Sequence, residues 1–314
     1  MRVPDASDVD RAVAIVARHL APTPVVPAPL LGDDVWLKVE TVQPTGSFKV
    51  RGALVAVTAA LADDPGTRIV TASAGNHGLG IAFAADRLGA TATIVVPTNA
   101  SPAKVAAFEQ FAVTLVQHGT SYDEAEAHAL TLAGAGTVYV SAYNDPDVIA
   151  GQGTIAVELF DQVPGLATIV TPIGGGGLAS GLGLAAQAEG VRVVGVEAAQ
   201  SPALRTALDA GRPVPIDPGP TLADGLAGNL EAGTVTFDII RRTVADVVSV
   251  SEAEIEAAMR FLDREHGLIA EGSAVVGIAA LRCGRITSEK PGATVVVVTG
   301  RNVASEVLER VLGR

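Results

Sequence analysis

The chain has 314 residues, 18% charged and only 4% aromatic, with a formal net charge of −12 and a single cysteine. That length suits one large or two medium layered domains. The acidic balance, with no basic run, argues against a nucleic-acid partner. One cysteine allows no internal disulfide and no thiolate metal cluster. Cys283 sits in an apolar stretch, which predicts a core thiol. No apolar run approaches the ~18 residues of a membrane span. Met1-Arg2-Val3-Pro4-Asp5 lacks the regions of a signal peptide. A cytoplasmic enzyme or binding protein, with no membrane contact, is expected.

In chain order, Ser7 to Leu20 predicts a helix capped by Ser7, with Val9, Val13, Val16 and Leu20 on one face. Pro22, Pro24, Pro27 and Pro29 force an extended entry. Val35 to Glu40 predicts a strand, and Phe48 to Leu61 a helix after the turn-prone Gln43-Pro44-Thr45-Gly46-Ser47. The chain then alternates. Strands are predicted at Arg68–Thr71, Thr93–Val96, Val113–Val116 and Val138–Val140, with helices at His77–Leu88, Pro102–Phe111 and Tyr122–Leu132 between them. A second series starts with a helix near Val148 and continues through strands Thr168–Thr171 and Val191–Val196. Strands Asp246–Val250 and Thr294–Thr299 follow. Ser251 and Glu254 form a capping box. This rhythm predicts an α/β protein with mostly parallel sheets and right-handed crossovers. A smaller domain over 42–142 is expected, inserted into a larger one made of 1–41 and 143–314. Neither a fixed-period repeat nor a low-complexity linker is present.

Ligands of open α/β sheets bind outside the carboxyl ends of the strands, and four features fall there. Lys49 stands in the first turn of a helix beside Phe48. The positive end of the helix dipole disfavours its ammonium form, which helps an amine form an imine or act as a base. Thr71 to Gly78 joins a strand to a helix through small residues. Its backbone N–H groups can face an anion, and Asn76 can donate to a phenolic oxygen. Ile173 to Gly181 carries four consecutive glycines, whose N–H groups can wrap a phosphate. Thr299 ends an apolar strand, where its hydroxyl can meet a neutral pyridine nitrogen. Each also has a plain reading: a solvated lysine, a capped turn, a packing turn, a strand end. Gly174, Gly176 and Ala179, followed by Glu197 about twenty residues on, match a dinucleotide fingerprint as well.

Several motifs together resemble the fold-type II pyridoxal-phosphate enzymes of the threonine dehydratase and serine racemase group. They are Ser47-Phe48-Lys49-Val50-Arg51-Gly52-Ala53, Ser73-Ala74-Gly75-Asn76-His77-Gly78, Val148 to Thr154, Gly174 to Gly177, Thr221-Leu222-Ala223-Asp224-Gly225 and the Thr299 strand end. The resemblance covers nearly the whole chain in family order. It implies two open twisted, mostly parallel sheets covered by helices, as in the tryptophan synthase β fold, and pyridoxal 5'-phosphate as cofactor. It makes Lys49 the imine lysine and the base for the Cα proton. Phe48 and Asn76 would contact the cofactor ring, Gly174, Gly175, Gly176, Gly177 and Leu178 its phosphate, Thr299 its pyridine nitrogen and Gly225 its ring pocket. Ser73, Ala74, Gly75, Asn76 and His77 would hold the carboxylate of an amino-acid substrate, although the side chain of His77 reads better as packed.

Departures from the group narrow the reaction. Racemases place a serine hydroxyl where this chain has Ala74, and racemisation needs an acid/base on each face of Cα. Dehydratases carry alanine there. The racemases' substrate arginine aligns loosely with Glu124. Their divalent site would map to Glu197, Ser201 and Ala203, which leaves Glu197 as a lone candidate. With Thr299 close to the end of the sequence, no regulatory amino-acid-binding domain is expected. Arg264 to Leu268, Glu271-Gly272 and Gly300 to Val303 resemble a dehydratase-like branch associated with hydroxyectoine use. The expectation is an L-threonine/L-serine ammonia-lyase acting as a homodimer. Serine racemase or 3-hydroxyaspartate dehydratase is the alternative within the family, and a dinucleotide-binding protein the alternative outside it.

Overall fold

Short runs of valine and isoleucine, separated by helices rich in alanine and glycine, give two sheets with helices packed on their faces. The computed structural model describes residues 2–231, 233–287 and 291–313. The elements are α1 Ala6–Val16, β1 Val25–Pro27, β2 Val35–Val39, α2 Lys49–Asp63, β3 Arg68–Ala72, α3 Asn76–Leu88, β4 Ala92–Val96, α4 Pro102–Ala106, β5 Thr114–Gln117, α5 Tyr122–Leu132 and β6 Thr137–Tyr139. They continue with α6 Pro146–Gln162, β7 Leu166–Pro172, α7 Gly177–Glu189, β8 Arg192–Ala198, α8 Ala203–Ala210, α9 Thr236–Thr243, β9 Asp246–Val250, α10 Glu252–His266, α11 Gly272–Arg282, β10 Ala293–Val298 and α12 Ser305–Leu312. Single 3-10 turns lie at Glu40–Val42 and Asp224–Leu226.

One sheet has the order β5-β4-β3-β6 and is wholly parallel. The other has the order β1-β2-β10-β7-β8-β9 and is parallel except for the β1–β2 pair. Val295 to Val298 of β10 are fully buried. A parallel strand covered on both faces reads as such a continuous apolar run.

Several boundaries differ from expectation for identifiable reasons. The carboxylate of Asp5, not Ser7, caps α1 by accepting from the N–H groups of Ser7 and Asp8, and Asp8 accepts from the N–H of Asp5 in return. Helix α4 stops at Ala106 because it has no buried face, and Phe108 packs into the core from the segment beyond it. The proline-rich entry is a short antiparallel edge strand, where a residue without an N–H is tolerated. Cys283 is exposed at the end of α11, not a core thiol. The apolar stretch before it is buried, but the helix runs out into solvent at that residue.

Helices α2, α6 and α7 approach backbone to backbone. A Cβ added at Gly151 would lie 2.6 Å from the Cα of Gly52, and one at Gly153 2.7 Å from the carbonyl oxygen of Gly181. Only hydrogen at these Cα positions permits such closeness. The pair Gly52 and Gly151 fixes α2 against α6 one turn from Lys49.

Candidate active site

The segment before α2 is tied to the end of β10. Phe48 donates its N–H to the carbonyl of Thr299 (3.0 Å), and Arg301 donates to that of Gly46 (2.9 Å). The amide of Asn302 donates to the carbonyl of Thr45 (2.8 Å). Gly46, at φ +76°, makes the turn that permits this pairing. Lys49 is thereby fixed as the first residue of α2. Its Nζ donates to the carbonyl of Ala142 (2.7 Å) and lies 5.3 Å from the centroid of the Phe48 ring.

Burial around the amine brings the Lys49 pKa down from its ordinary value to about 8, and the charge of Glu271 opposes that shift. The direction matches the expectation, and desolvation is its largest cause.

Two residues along α2, Arg51 faces the other way and is fully buried. It donates to Glu40 (2.8 and 2.8 Å), Glu158 (2.6 and 2.9 Å) and the hydroxyl of Thr154 (3.2 Å). Lys38 donates to Glu158 (2.5 Å), the carbonyl of Thr23 (2.8 Å) and Gln162 (2.7 Å). Two cations and two carboxylates thus neutralise one another beneath the helix that carries Lys49.

The loop Ser73–His77 leaves the end of β3. The hydroxyl of Ser73 accepts from the N–H of Gly75 (3.2 Å). The ladder of α3 begins with Leu79 donating to Gly75, so the N–H groups of Asn76, His77 and Gly78 precede it and can meet an anion. Ala74 contributes only a methyl group. The His77 ring is buried with Nε2 3.2 Å from the carbonyl of Val140, and burial lowers its pKa to about 3. It is a neutral, packed histidine, and its backbone N–H is the group it offers to an anion at the start of α3. Asn76 has its amide held at both ends. Its Nδ2 donates to Glu271 (2.9 and 3.1 Å), and its Oδ1 accepts from Asn302 (2.7 Å).

The loop Gly174–Gly177 leaves the end of β7. Its glycines answer to packing as well as to any ligand. A Cβ at Gly174 would come within 2.9 Å of the Cα of Leu226, one at Gly177 within 2.9 Å of the backbone of Tyr143, and one at Gly175 would collide with the Tyr143 ring. Gly176 has φ +90°. The ladder of α7 starts with Ser180 donating to Gly176 (2.8 Å), which leaves the N–H groups of Gly177, Leu178 and Ala179 ahead of it. The side chain of Leu178 packs in the same core region as Phe48. Gly225 donates its N–H to the hydroxyl of Ser273 (3.1 Å), so its carbonyl is the backbone group left for a ring pocket. Thr299 is buried beside Phe48.

Two expected positions lie outside this constellation. Both oxygens of Glu197 accept from the start of α8, from Leu204 N–H (2.7 Å) and Arg205 N–H (2.9 Å). The carboxylate thereby ties the end of β8 to the start of α8. Glu124 accepts from the backbone and hydroxyl of Thr120 (2.5 and 3.0 Å) on an exposed surface.

Three residues not singled out for their chemistry join the site. Ala142 receives the Lys49 amine, and Tyr143 braces the glycine loop while its hydroxyl accepts from the N–H of Glu231 (2.8 Å). Glu271 faces Asn76 from the start of α11. Its signal was a carboxylate opening an otherwise apolar stretch, which reads as a helix beginning until its burial is known.

The donor set fits an aldehyde that carries a phosphate. An amine of lowered pKa stands beside an aromatic ring, two helix starts offer free N–H groups, and the buried hydroxyls of Ser47 and Ser180 lack partners among the described residues. Such a combination defines an aldehyde-cofactor enzyme of the α/β type. The chain belongs to the pyridoxal-phosphate dependent enzyme family, whose model matches residues 16–300. It is 39% identical over 287 residues to the L-threonine ammonia-lyase of Geobacter sulfurreducens, covering 90% of this chain and 71% of that one. It is 37% identical over 279 residues to an L-threo-3-hydroxyaspartate ammonia-lyase of a Pseudomonas species, covering 88% and 86%. The structure of maize serine racemase superposes with a TM-score of 0.89 at 29% identity, covering 98% and 97%. Pyridoxal phosphate is the cofactor of this family.

Proposed function

We propose that this chain is an L-threonine ammonia-lyase with L-serine as a slower substrate, converting them to 2-oxobutanoate or pyruvate plus ammonia. The observation that carries the reading is the Lys49 amine, lowered to about 8 and set near a loop that has Ala74 where a second acid/base would stand. When bound, the cofactor supplies an electron-withdrawing ring and a phosphate that can protonate a leaving hydroxyl.

Lys49 would hold the aldehyde carbon through Nζ and, once the substrate amine has displaced it there, would accept the Cα proton. The N–H groups of Gly177 and Leu178, with the backbone of Gly174 to Gly176, hold the phosphate. Ser73 to His77 hold the substrate carboxylate through backbone N–H groups and the Ser73 hydroxyl. Asn76 and Phe48 would orient the ring, Gly225 would line its pocket, and the Thr299 hydroxyl would meet its nitrogen. A hydroxyl at Thr299, with no carboxylate there, would leave the bound ring's nitrogen unprotonated and its pull on Cα moderate. That favours β-elimination, in which the leaving hydroxyl removes electron density as water. Water then returns as ammonia departs, so the sum is L-threonine to 2-oxobutanoate and ammonia.

Within this reading 42–142, which contains the whole four-stranded sheet, is the smaller domain, and 1–41 with 143–314 the larger. The assembly in this reading is a homodimer, as the family likeness implies, and its location is the cytoplasm. Among the described residues no helix is long and apolar enough to cross a membrane.

The test is to incubate the holoenzyme separately with L-threonine, L-serine, D-serine and 3-hydroxyaspartate while following oxo-acid release and optical inversion. Fastest oxo-acid release from L-threonine is expected. Faster release from 3-hydroxyaspartate, or serine inversion outrunning oxo-acid release, would replace the reading with the corresponding relative's activity.

A further inference from the structure

Resting on that reading, we infer that Glu271 is a positioning residue of the reaction: its ionised carboxylate fixes the amide of Asn76 and counterbalances the charge of Lys49. Four observations support it.

The first is orientation. The Thr45 carbonyl can only accept, so Asn302 must turn its Nδ2 toward it. The same Nδ2 donates to Oδ1 of Asn76, which leaves Nδ2 of Asn76 facing both oxygens of Glu271. With the Thr45 carbonyl as acceptor at one end and the ionised Glu271 as acceptor at the other, the chain of bonds permits one amide orientation only. Both oxygens of the carboxylate stand within hydrogen-bond distance of that one nitrogen, so the carboxylate holds the amide plane from one side.

The second is fit. Gly300 lacks a side chain where the carboxylate lies: a Cβ there would stand 2.9 Å from Oε1 of Glu271. The N–H of Glu271 is itself tied to the Gly300 carbonyl (3.1 Å). The space is made for the group.

The third is charge. Lys49 from α2, Lys104 from α4 and Asp224 from the 3-10 turn are the charged groups acting on Glu271, with the uncharged Asn76 of α3 bonded to it and Gly300 beyond β10 packed on it. Lys104 and Asp224 are exposed and within 3.6 Å of each other, so they largely offset one another. Lys49 is the remaining, buried counterpart.

The fourth is cost. Burial holds the Glu271 pKa up at about 7, and among the described residues no arginine or lysine bonds to it directly. A buried carboxyl kept for stability would be paired. This one is held by a neutral amide.

The experiment mixes apoprotein with pyridoxal phosphate between pH 6 and 10 and follows the rate of yellow-band formation for the wild type, Glu271→Gln and Glu271→Asp. The midpoint reports the Lys49 nitrogen and is expected near 8 in the wild type. Removing the carboxylate charge should move it down by about half a unit or more in Glu271→Gln. In kcat/KM, the wild type should lose activity as pH falls through about 7, and the Gln variant should lack that limb. Asp, one methylene short of Asn76, should retain an acid limb while kcat/KM falls by about tenfold. An unshifted capture midpoint in folded Gln variant overturns the inference. So does a wild-type kcat/KM in the Asp variant, which also serves if the Gln variant does not fold. Capture requires no amino acid. A wild type that captures the cofactor but yields no oxo acid would therefore sink the lyase reading alone.

Discussion

Lys38 and Lys49 are both lysines held within the protein, and they show two uses of a buried charge. The Lys38 amine spends its three hydrogens on three acceptors and lies in a neutral cluster with Glu40, Arg51 and Glu158. The Lys49 amine has one bond, to a backbone carbonyl, and a carboxylate that is near but not bonded. Burial lowers both pKa values, yet only Lys49 keeps lone-pair access and unspent directions. A saturated cation is a fastener. An unsaturated one is available for chemistry.

The sharpest way to break this contrast is to exchange the two phenotypes. Lys49→Ala should lower oxo-acid formation by at least about a thousandfold and abolish the borohydride-reducible chromophore, with apoprotein melting unchanged or higher. Lys38→Met should do the reverse: urea unfolding at lower concentration, with chromophore per folded molecule retained. Loss of the chromophore in folded Lys38→Met would show that the two lysines are not separable.

Next in size, Arg51→Met or Glu40→Gln alone leaves an uncompensated buried charge. Each should cost on the order of 3–5 kcal/mol in urea unfolding. The Arg51→Met and Glu40→Leu double variant should recover part of that loss. Equal instability in the single and double variants would mean that packing, not charge, sets the cost.

Ala74→Ser places a hydroxyl on the substrate loop and should raise the ratio of serine inversion to oxo-acid release by about tenfold. An unchanged ratio would locate the second proton-transfer group elsewhere.

The smallest effect is in pH. Glu271 and Glu197 both have folded pKa values raised to about 7 by burial. Between the ordinary carboxylate value and about 7 the native state binds more protons than the unfolded one, so stability falls as pH rises through that window. Apoprotein Tm should drop between pH 5 and 8, and Glu197→Gln should flatten the slope. A parallel slope in that variant would assign the drop to other groups.

Much of this was legible in the chain. The strand Asp246–Val250, the helix Tyr122–Leu132 and the box at Ser251 and Glu254 carry local signals that agree with their environment. What local pattern cannot show is the partner across the fold. Asp5 outcompeted Ser7 as cap because Asp8 returned its bond. Cys283 looked interior because its neighbours are apolar, yet α11 emerges at that residue. Glu271 entered only as part of a short family likeness, since the groups that give it meaning, Asn76 and Lys49, lie about two hundred residues away in sequence. The lowered Lys49 pKa was foreseen from the helix start, and the structure gives it mainly to desolvation.

The glycine contacts between α2, α6 and α7 carry a consequence for tolerance to change. Where two backbones touch, no side chain can yield to absorb an error, so a methyl at Gly151 or Gly181 must displace a whole helix. The movement would arrive at Lys49 as a misplaced nitrogen, and positioning errors of an ångström are costly to catalysis. A survey of loss-of-function variants should therefore find a second hot zone along these helix seams, remote from any substrate and silent in side-chain chemistry. Proteins that set a nucleophile by backbone contact gain precision and give up mutational slack far from where the bond is made.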